Sequence, residues 1–203
     1  MEEIFHKKIL NTHIYVWKIT SSYEDQFKNH LLNSAELIYA KELKNEKRKK
    51  EFLSSRIALK NIFNKELKLK HHSSGRPFIK EAKHLSISHS SNFLALAFGD
   101  KNIGIDIEKP QNRMVKLMPK ILSEIELMEF KKEPTMDLAC KLWGAKEAIL
   151  KYVGDKNINY KEDIKVKNLH LGVASYLKMN FKVEFEKIEN MILTYAVISD
   201  RTK

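Results

Sequence analysis

Residues 141–154, KLWGAKEAILKYVG, constrain the fold of this chain more than any other stretch. They read as a helix on which Trp143, Glu147 and Lys151 recur every four residues and so share one face. Residues 103–109, IGIDIEK, read as a strand with Asp106 and Glu108 on one side and Ile103, Ile105 and Ile107 on the other. Gly104 within it permits close approach of a second backbone. If the isoleucines are buried and the helix lies over the opposite side, three carboxylates and one lysine converge. Both parts also have a plain reading. The acid pair suits a solvated edge strand, and Glu147 with Lys151 suits an ordinary helical ion pair worth about 0.3–0.5 kcal/mol.

The remaining chain mixes strands and helices. Residues 11–20 (NTHIYVWKIT) alternate as a mostly buried strand. Ser21 or Ser22 can cap a helix running to about Leu32, and Asn33 or Ser34 a second one. Residues 42–63 read as one long helix, with Phe52, Ile57 and Phe63 on its apolar side and Lys47, Arg48, Lys49, Lys50 and Arg56 forming a positive face. A turn at 71–77 (HHSSGRP) leads to strands at 78–79, 85–88 and 92–98. Gly99-Asp100 is expected to fold the last of these into a hairpin with 102–108, which Pro110 ends. Ser123 and Glu126 make a capping box that opens a helix through about Lys131. Pro134 stands near the first turn of the next helix, which Gly154 terminates. A polar loop at 157–163 precedes strands at 173–185 and 190–199, with a short one near 164–166. A long helix followed by strands thus occurs twice, with no sequence repeat and no low-complexity linker, so the chain reads as one joined unit.

Hydrophobic residues make up 43% of the chain and charged residues 31%, which suits a globular protein rather than a disordered one. No apolar run approaches the ~20 residues of a membrane span, and the acidic start MEEIFHKKIL lacks a signal-peptide core. One cysteine, Cys140, allows no internal disulfide and reads as a helix packing residue. The expected setting is the cytoplasm. The net charge of +11 suits nucleic acid, an anionic small molecule or an acidic protein as partner, or no partner at all. Residues 1–100 are the more basic part, with 18 Lys and Arg against 11 Asp and Glu.

His89, within SISHSS, suits a phosphate contact or a satisfied structural histidine. His71, His72 and His84 lack zinc-ligand spacing. There is no Walker loop, dinucleotide glycine pattern or serine-nucleophile elbow. A magnesium-dependent nuclease accommodates the acids, the lysine and the charge, but not SISHS or GRPFI. A nucleic-acid binding module is disfavoured, because the basic residues are not interleaved with aromatics.

GRPFI, SISHS, GIDIE and WGAKEAILK, in that order, resemble the successive motifs of the 4′-phosphopantetheinyl transferase superfamily. RKKEFLSSR, ending at Arg56, and ILSEIEL, with Glu126, agree with it. The closer likeness is to the larger, monomeric, surfactin-type branch, and the signature covers Gly75 to about Gly154. The resemblance implies an α+β fold. Two similar α/β halves would be related by a pseudo-twofold, each a long helix packed on a small, mostly antiparallel sheet. Residues 1–100 would form the coenzyme A nucleotide side, and 101–203 would hold the magnesium site and the carrier contact.

The implied reaction moves the phosphopantetheine arm of coenzyme A onto a serine of an acidic acyl or peptidyl carrier protein, releasing adenosine 3′,5′-bisphosphate. By resemblance, Asp106, Glu108 and Glu147 would hold Mg2+, or Mn2+. Lys151, Ser88 and His89 would meet the phosphates, and Arg48 (or Lys47), Arg56, Gly75 and Arg76 would make further coenzyme A contacts. Glu126, Lys151 and Glu108 are the catalytic candidates, Glu126 as a base or a water-positioning group. The apolar residues of 113–127, Met114, Leu117, Met118 and Leu122, would either meet the carrier or simply pack in the core. A monomer, with no nucleic acid or membrane partner, is expected.

Overall fold

The computed structural model describes residues 1–9, 11–155, 157–168 and 172–199. In chain order these form β1 (Glu2–Ile9), β2 (Thr12–Lys18), α1 (Tyr23–Phe27), α2 (Ser34–Glu42), α3 (Glu46–Phe63), β3 (Lys70–His71), β4 (Pro77–Phe78), β5 (His84–Ser90), β6 (Phe93–Gly99) and β7 (Gly104–Glu108). There follow α4 (Asn112–Ile121), α5 (Glu124–Lys132), α6 (Met136–Val153), β8 (Ile164–Asn168), β9 (Val173–Tyr176), β10 (Met179–Ile188) and β11 (Met191–Ile198). The architecture is α+β. One antiparallel sheet has the order β1-β2-β6-β5 and a second has the order β7-β11-β10-β9-β8.

Alternation sorts the apolar side chains into layers. Ile14, Val16, Phe93, Ala95 and Ala97 of the first sheet pack against Ile103, Ile105, Ile107, Leu193 and Tyr195 of the second. On its other face the first sheet packs Leu94, Leu96 and Phe98 against Ala58 and Leu59 of α3. The second sheet packs Phe181, Val183 and Ala196 against Ala145, Ala148 and Ile149 of α6. Among the described residues no helix is long and apolar enough to cross a membrane.

Two glycines set the position of α6. A Cβ on Gly104 would lie 1.7 Å from the Ala148 carbonyl oxygen, and one on Gly144 would lie 2.5 Å from Thr194 Oγ1. The helix therefore rests directly on β7 and β11, closer than any side chain allows.

Several expectations are corrected. The hairpin between 92–98 and 102–108 does not form, because β6 is flanked on both edges by β2 and β5. The chain leaves that sheet after Gly99, and β7 pairs with β11, Asp106 opposite Thr194. The strand read at 173–185 is broken by a turn at Leu177, whose φ of 50° is adopted by a residue that gives no turn signal. The helix capped by Ser22 ends at Phe27, well before Leu32. The helix read from 42 begins at Glu46, capped by Asn45. The opening residues pair with β2 as a strand that lysines had hidden from the alternation pattern.

Candidate active site

Three serines build the seam between the sheets. On β5, Leu85 and Ile87 face α3, so Ser86, Ser88 and Ser90 face the other way, towards the edge of β7. An edge strand presents unpaired N–H groups that need partners when buried. Ser86 Oγ accepts from Ile105 N–H at 3.1 Å, and Ser88 Oγ accepts from Ile107 N–H at 3.3 Å. The same serines hold the acids of β7. Ser88 Oγ donates to Asp106 Oδ1 at 2.8 Å and Ser90 Oγ donates to Glu108 Oε2 at 2.6 Å.

From α6, Lys151 Nζ reaches Asp106 Oδ1 at 2.8 Å and Ser88 Oγ at 2.9 Å. The helical pairing of Lys151 with Glu147 is thus replaced by a bridge from helix to strand. Glu147 instead accepts from the Tyr160 hydroxyl at 2.6 Å through Oε1. Each of the three carboxylates is gripped through one oxygen, and Asp106 Oδ2 is buried with no hydrogen-bond partner.

A cavity of about 380 Å³ is lined by Asp106, Glu108, Glu147, Lys151, Ser88 and His89, with Trp143 on one side and Lys47 and Arg48 of the first turn of α3 on another. Burial holds the Glu147 carboxyl above the usual carboxylate range, and Asp106 adds to this, while Lys151 and Tyr160 oppose it. Burial likewise raises Glu108, against the Ser90 hydrogen bond. Among the described residues no group of three or more His, Cys, Asp and Glu is arranged as a ready-made metal site, since one oxygen of each acid is turned to an internal donor. The unpartnered Asp106 oxygen and the all-oxygen donor set nevertheless fit a hard divalent cation.

A second cavity, about 780 Å³, adjoins the first through Arg48, Glu51, Ile87 and His89. It is lined further by Arg56, His71, Gly75, Tyr39 and Phe52. Arg56 lies over the Phe52 ring with its Nε 3.8 Å from Glu36. Burial lowers its pKa to about 10, and Glu36 only partly offsets that. Burial drives the His89 ring down to about 3, with Lys151 contributing, against a hydrogen bond to the Glu51 backbone. His89 Nε2 is buried without a partner. Gly75, at φ 84°, closes the turn in which its N–H donates to the His72 carbonyl at 2.8 Å. Arg76 bonds Asn102 and lines a smaller space of about 200 Å³ with Gly75, Lys151 and Gly154.

Arg48, Ser88, His89, Asp106, Glu108, Glu147 and Lys151 therefore meet in one cavity, Arg56 and Gly75 line its neighbour, and Arg76 sits beside both. Glu126 is not among them. Its Oε2 accepts from Ser123 N–H at 2.8 Å and from Lys146 Nζ at 3.0 Å, and its Oε1 accepts from Val166 N–H at 2.6 Å. Both of its oxygens are committed, its side chain is buried, and it lines a different cavity, of about 1040 Å³. Met114, Met118 and Leu122 are buried and Leu117 is packed against them, so the apolar residues read as a carrier contact belong to the core. Trp143 stacks on Tyr160, 5.9 Å between centroids. Tyr160 and the fully buried Lys146 were not found by sequence reasoning. The first lies in a polar loop, and a lysine gives no sign of burial.

Three carboxylates, one of them bonded to a lysine, beside a cavity lined with arginine and histidine define a site suited to a polyphosphate and a divalent cation. Residues 102–193 match the model of the 4′-phosphopantetheinyl transferase superfamily. The chain is 28% identical over 101 residues to the 4′-phosphopantetheinyl transferase gsp of Aneurinibacillus migulanus, covering 48% of this chain and 43% of that protein. It is 33% identical over 85 residues to the 4′-phosphopantetheinyl transferase Sfp of Bacillus subtilis (strain 168), covering 39% of this chain and 38% of that protein. The matches span about two fifths of the length of these relatives. They do not favour the nuclease reading.

Proposed function

We propose that the protein transfers the 4′-phosphopantetheine group of coenzyme A to a serine of an apo acyl or peptidyl carrier protein, releasing adenosine 3′,5′-bisphosphate. The observation that carries this reading is the meeting of Asp106, Glu108, Glu147 and Lys151 in a cavity that adjoins a larger, arginine-lined one. On this reading the nucleotide occupies the larger cavity, with Arg56 and Arg48 facing its phosphates and Arg76 at the turn beside it. The pyrophosphate lies along Ser88, His89 and Lys151.

Asp106, Glu108 and Glu147 would hold Mg2+ or Mn2+. Bound there, the cation supplies Lewis-acid charge neutralisation to a pyrophosphate. The carrier serine oxygen attacks the phosphorus that bears the pantetheine arm, and the bond to the nucleotide phosphate breaks. Lys151 places positive charge where the leaving phosphate gains negative charge. Glu108, held through Oε2 by Ser90 at the cavity wall, is the carboxylate placed to take the serine proton. Glu126 is left out of the chemistry. The net charge of +11 favours an acidic carrier. We further read the two sheet-and-helix layers as pseudo-twofold halves of a cytoplasmic monomer.

The test is incubation of the protein with apo carrier protein, coenzyme A and Mg2+, followed by intact mass measurement of the carrier. A gain of one phosphopantetheine supports the reading. Cleavage of plasmid DNA with no change in the carrier would favour the nuclease.

A further inference from the structure

Tyr160 contacts α6 at two consecutive residues. Its carbonyl oxygen accepts from Lys146 Nζ at 2.8 Å, and its hydroxyl donates to Glu147 Oε1 at 2.6 Å. Lys146 and Glu147 point to different sides of the helix, so one residue of the loop between α6 and β8 spans both. The loop is held from behind as well. Lys146, with no exposed surface, also donates to the Ile164 carbonyl at 2.5 Å and to Glu126 at 3.0 Å. Glu126 in turn accepts from Val166 N–H, which fixes the start of β8. The Tyr160 ring is stacked on Trp143 with 8° between the planes. Backbone, ring and hydroxyl of Tyr160 are therefore each fixed by a different partner.

We infer that Tyr160 is a positioning residue for the cation site. It fixes Glu147 through one oxygen and leaves the other for the metal, and the buried Glu126–Lys146 pair is the anchor that holds it there. The inference rests on the reading of Asp106, Glu108 and Glu147 as cation ligands. A merely structural residue would need neither the hydroxyl nor its aim at one of the three acids, because the carbonyl and the ring already pin the loop. Hydroxyl or amide partners that orient a ligating carboxylate typically raise metal affinity by about 10–100-fold.

The variant Tyr160→Phe keeps the ring on Trp143 and the carbonyl on Lys146 and removes only the bond to Glu147. Mn2+ alone is the probe, titrated into the protein and followed by loss of the free-ion electron paramagnetic resonance signal, with thermal unfolding in metal-free buffer measured in parallel. The expected result is Mn2+ binding by the wild type, loss of binding in Glu147→Gln, and affinity weakened by about 10-fold in Tyr160→Phe. The metal-free unfolding midpoint of Tyr160→Phe stays unchanged, and its transfer activity recovers at high Mg2+. Wild-type affinity in Tyr160→Phe, or a lowered midpoint with unchanged affinity, would overturn the role of Tyr160 while leaving the cation site standing. No Mn2+ binding by the wild type would overturn both.

Discussion

Lys151 donates to Asp106 Oδ1 at 2.8 Å, joining α6 to β7, and shares that oxygen with Ser88. The bridge is asymmetric. Asp106 is buried, whereas the Lys151 side chain keeps 25% of its exposure. A cation at the mouth of the cavity can therefore leave its partner for an incoming phosphate without crossing a dry interior. Replacing Lys151 by alanine should lower transfer by about 10²–10³-fold, the usual effect of removing one donor aimed at developing charge. Replacing Asp106 by asparagine keeps the Ser88 contact and relieves repulsion with Glu108 and Glu147, so the fold should persist while transfer is lost. Steady-state kinetics and thermal unfolding of both variants check this. If Lys151→Ala altered only the unfolding midpoint, the bridge would be structural.

Gly104 tests the placement of the helix. An added Cβ would meet the Ala148 carbonyl, a backbone atom that cannot rotate away. Gly104→Ala should destabilise the protein by about 3 kcal/mol, at the upper end of overpacking effects, and displace Glu147 and Lys151 from β7. Urea unfolding and the transfer assay measure the two effects together.

How much of this was legible in the sequence depends on how local the signal was. The shared side of Asp106 and Glu108, the helical stripe of Glu147 and Lys151, and the close approach at Gly104 all follow from strand and helix periods. The partner of β7 did not follow, because pairing with β11 depends on which edges are already occupied. The period-two serines of β5 carried a signal that went unread. Three alternate buried hydroxyls on one strand mark a face that must satisfy a neighbouring backbone. The capping box fixed one oxygen of Glu126 in advance. The other contacts, to Lys146 and Val166, come from helix and strand packing that a single sequence does not reveal.

His89 gives the site a proton linkage. Its pKa falls from 6.5 to about 3 on burial, so the folded protein holds the neutral ring. That contribution to stability is complete above pH 6.5 and is lost as pH falls towards 3. His89→Gln should therefore flatten the decline of stability with pH across this window. With the Glu51 backbone bonded and Nε2 unpartnered, the ring can donate to a phosphate only by gaining a proton. Coenzyme A binding at pH 7 should then take up protons, seen in calorimetry as a heat that depends on the buffer. Buffer-independent heat would separate His89 from the phosphates.

The seam between the sheets has its own pH signature. Lys7 on β1 bonds Glu186 at 2.8 Å and the Tyr195 hydroxyl at 2.7 Å, and Glu184 accepts from Tyr195 and Lys182. Glu184 is lowered from 4.5 to about 2, first by Lys182 and then by Tyr195. Its stabilisation is complete above pH 4.5 and disappears as pH falls through 2. Glu184→Gln should be less stable than the wild type at neutral pH, and the gap should close on acidification through that range, as denaturant titrations at several pH values would register.

The most direct test of the account is the intact mass of an apo carrier protein after exposure to this protein, coenzyme A and Mg2+, with Asp106→Asn run alongside. The account predicts one added phosphopantetheine on a single serine with the wild type, none after removal of divalent metal, and none with the variant. A wild type that leaves fatty-acid, polyketide and peptide-synthetase carriers all unmodified would contradict it. Full transfer by Asp106→Asn would contradict the site.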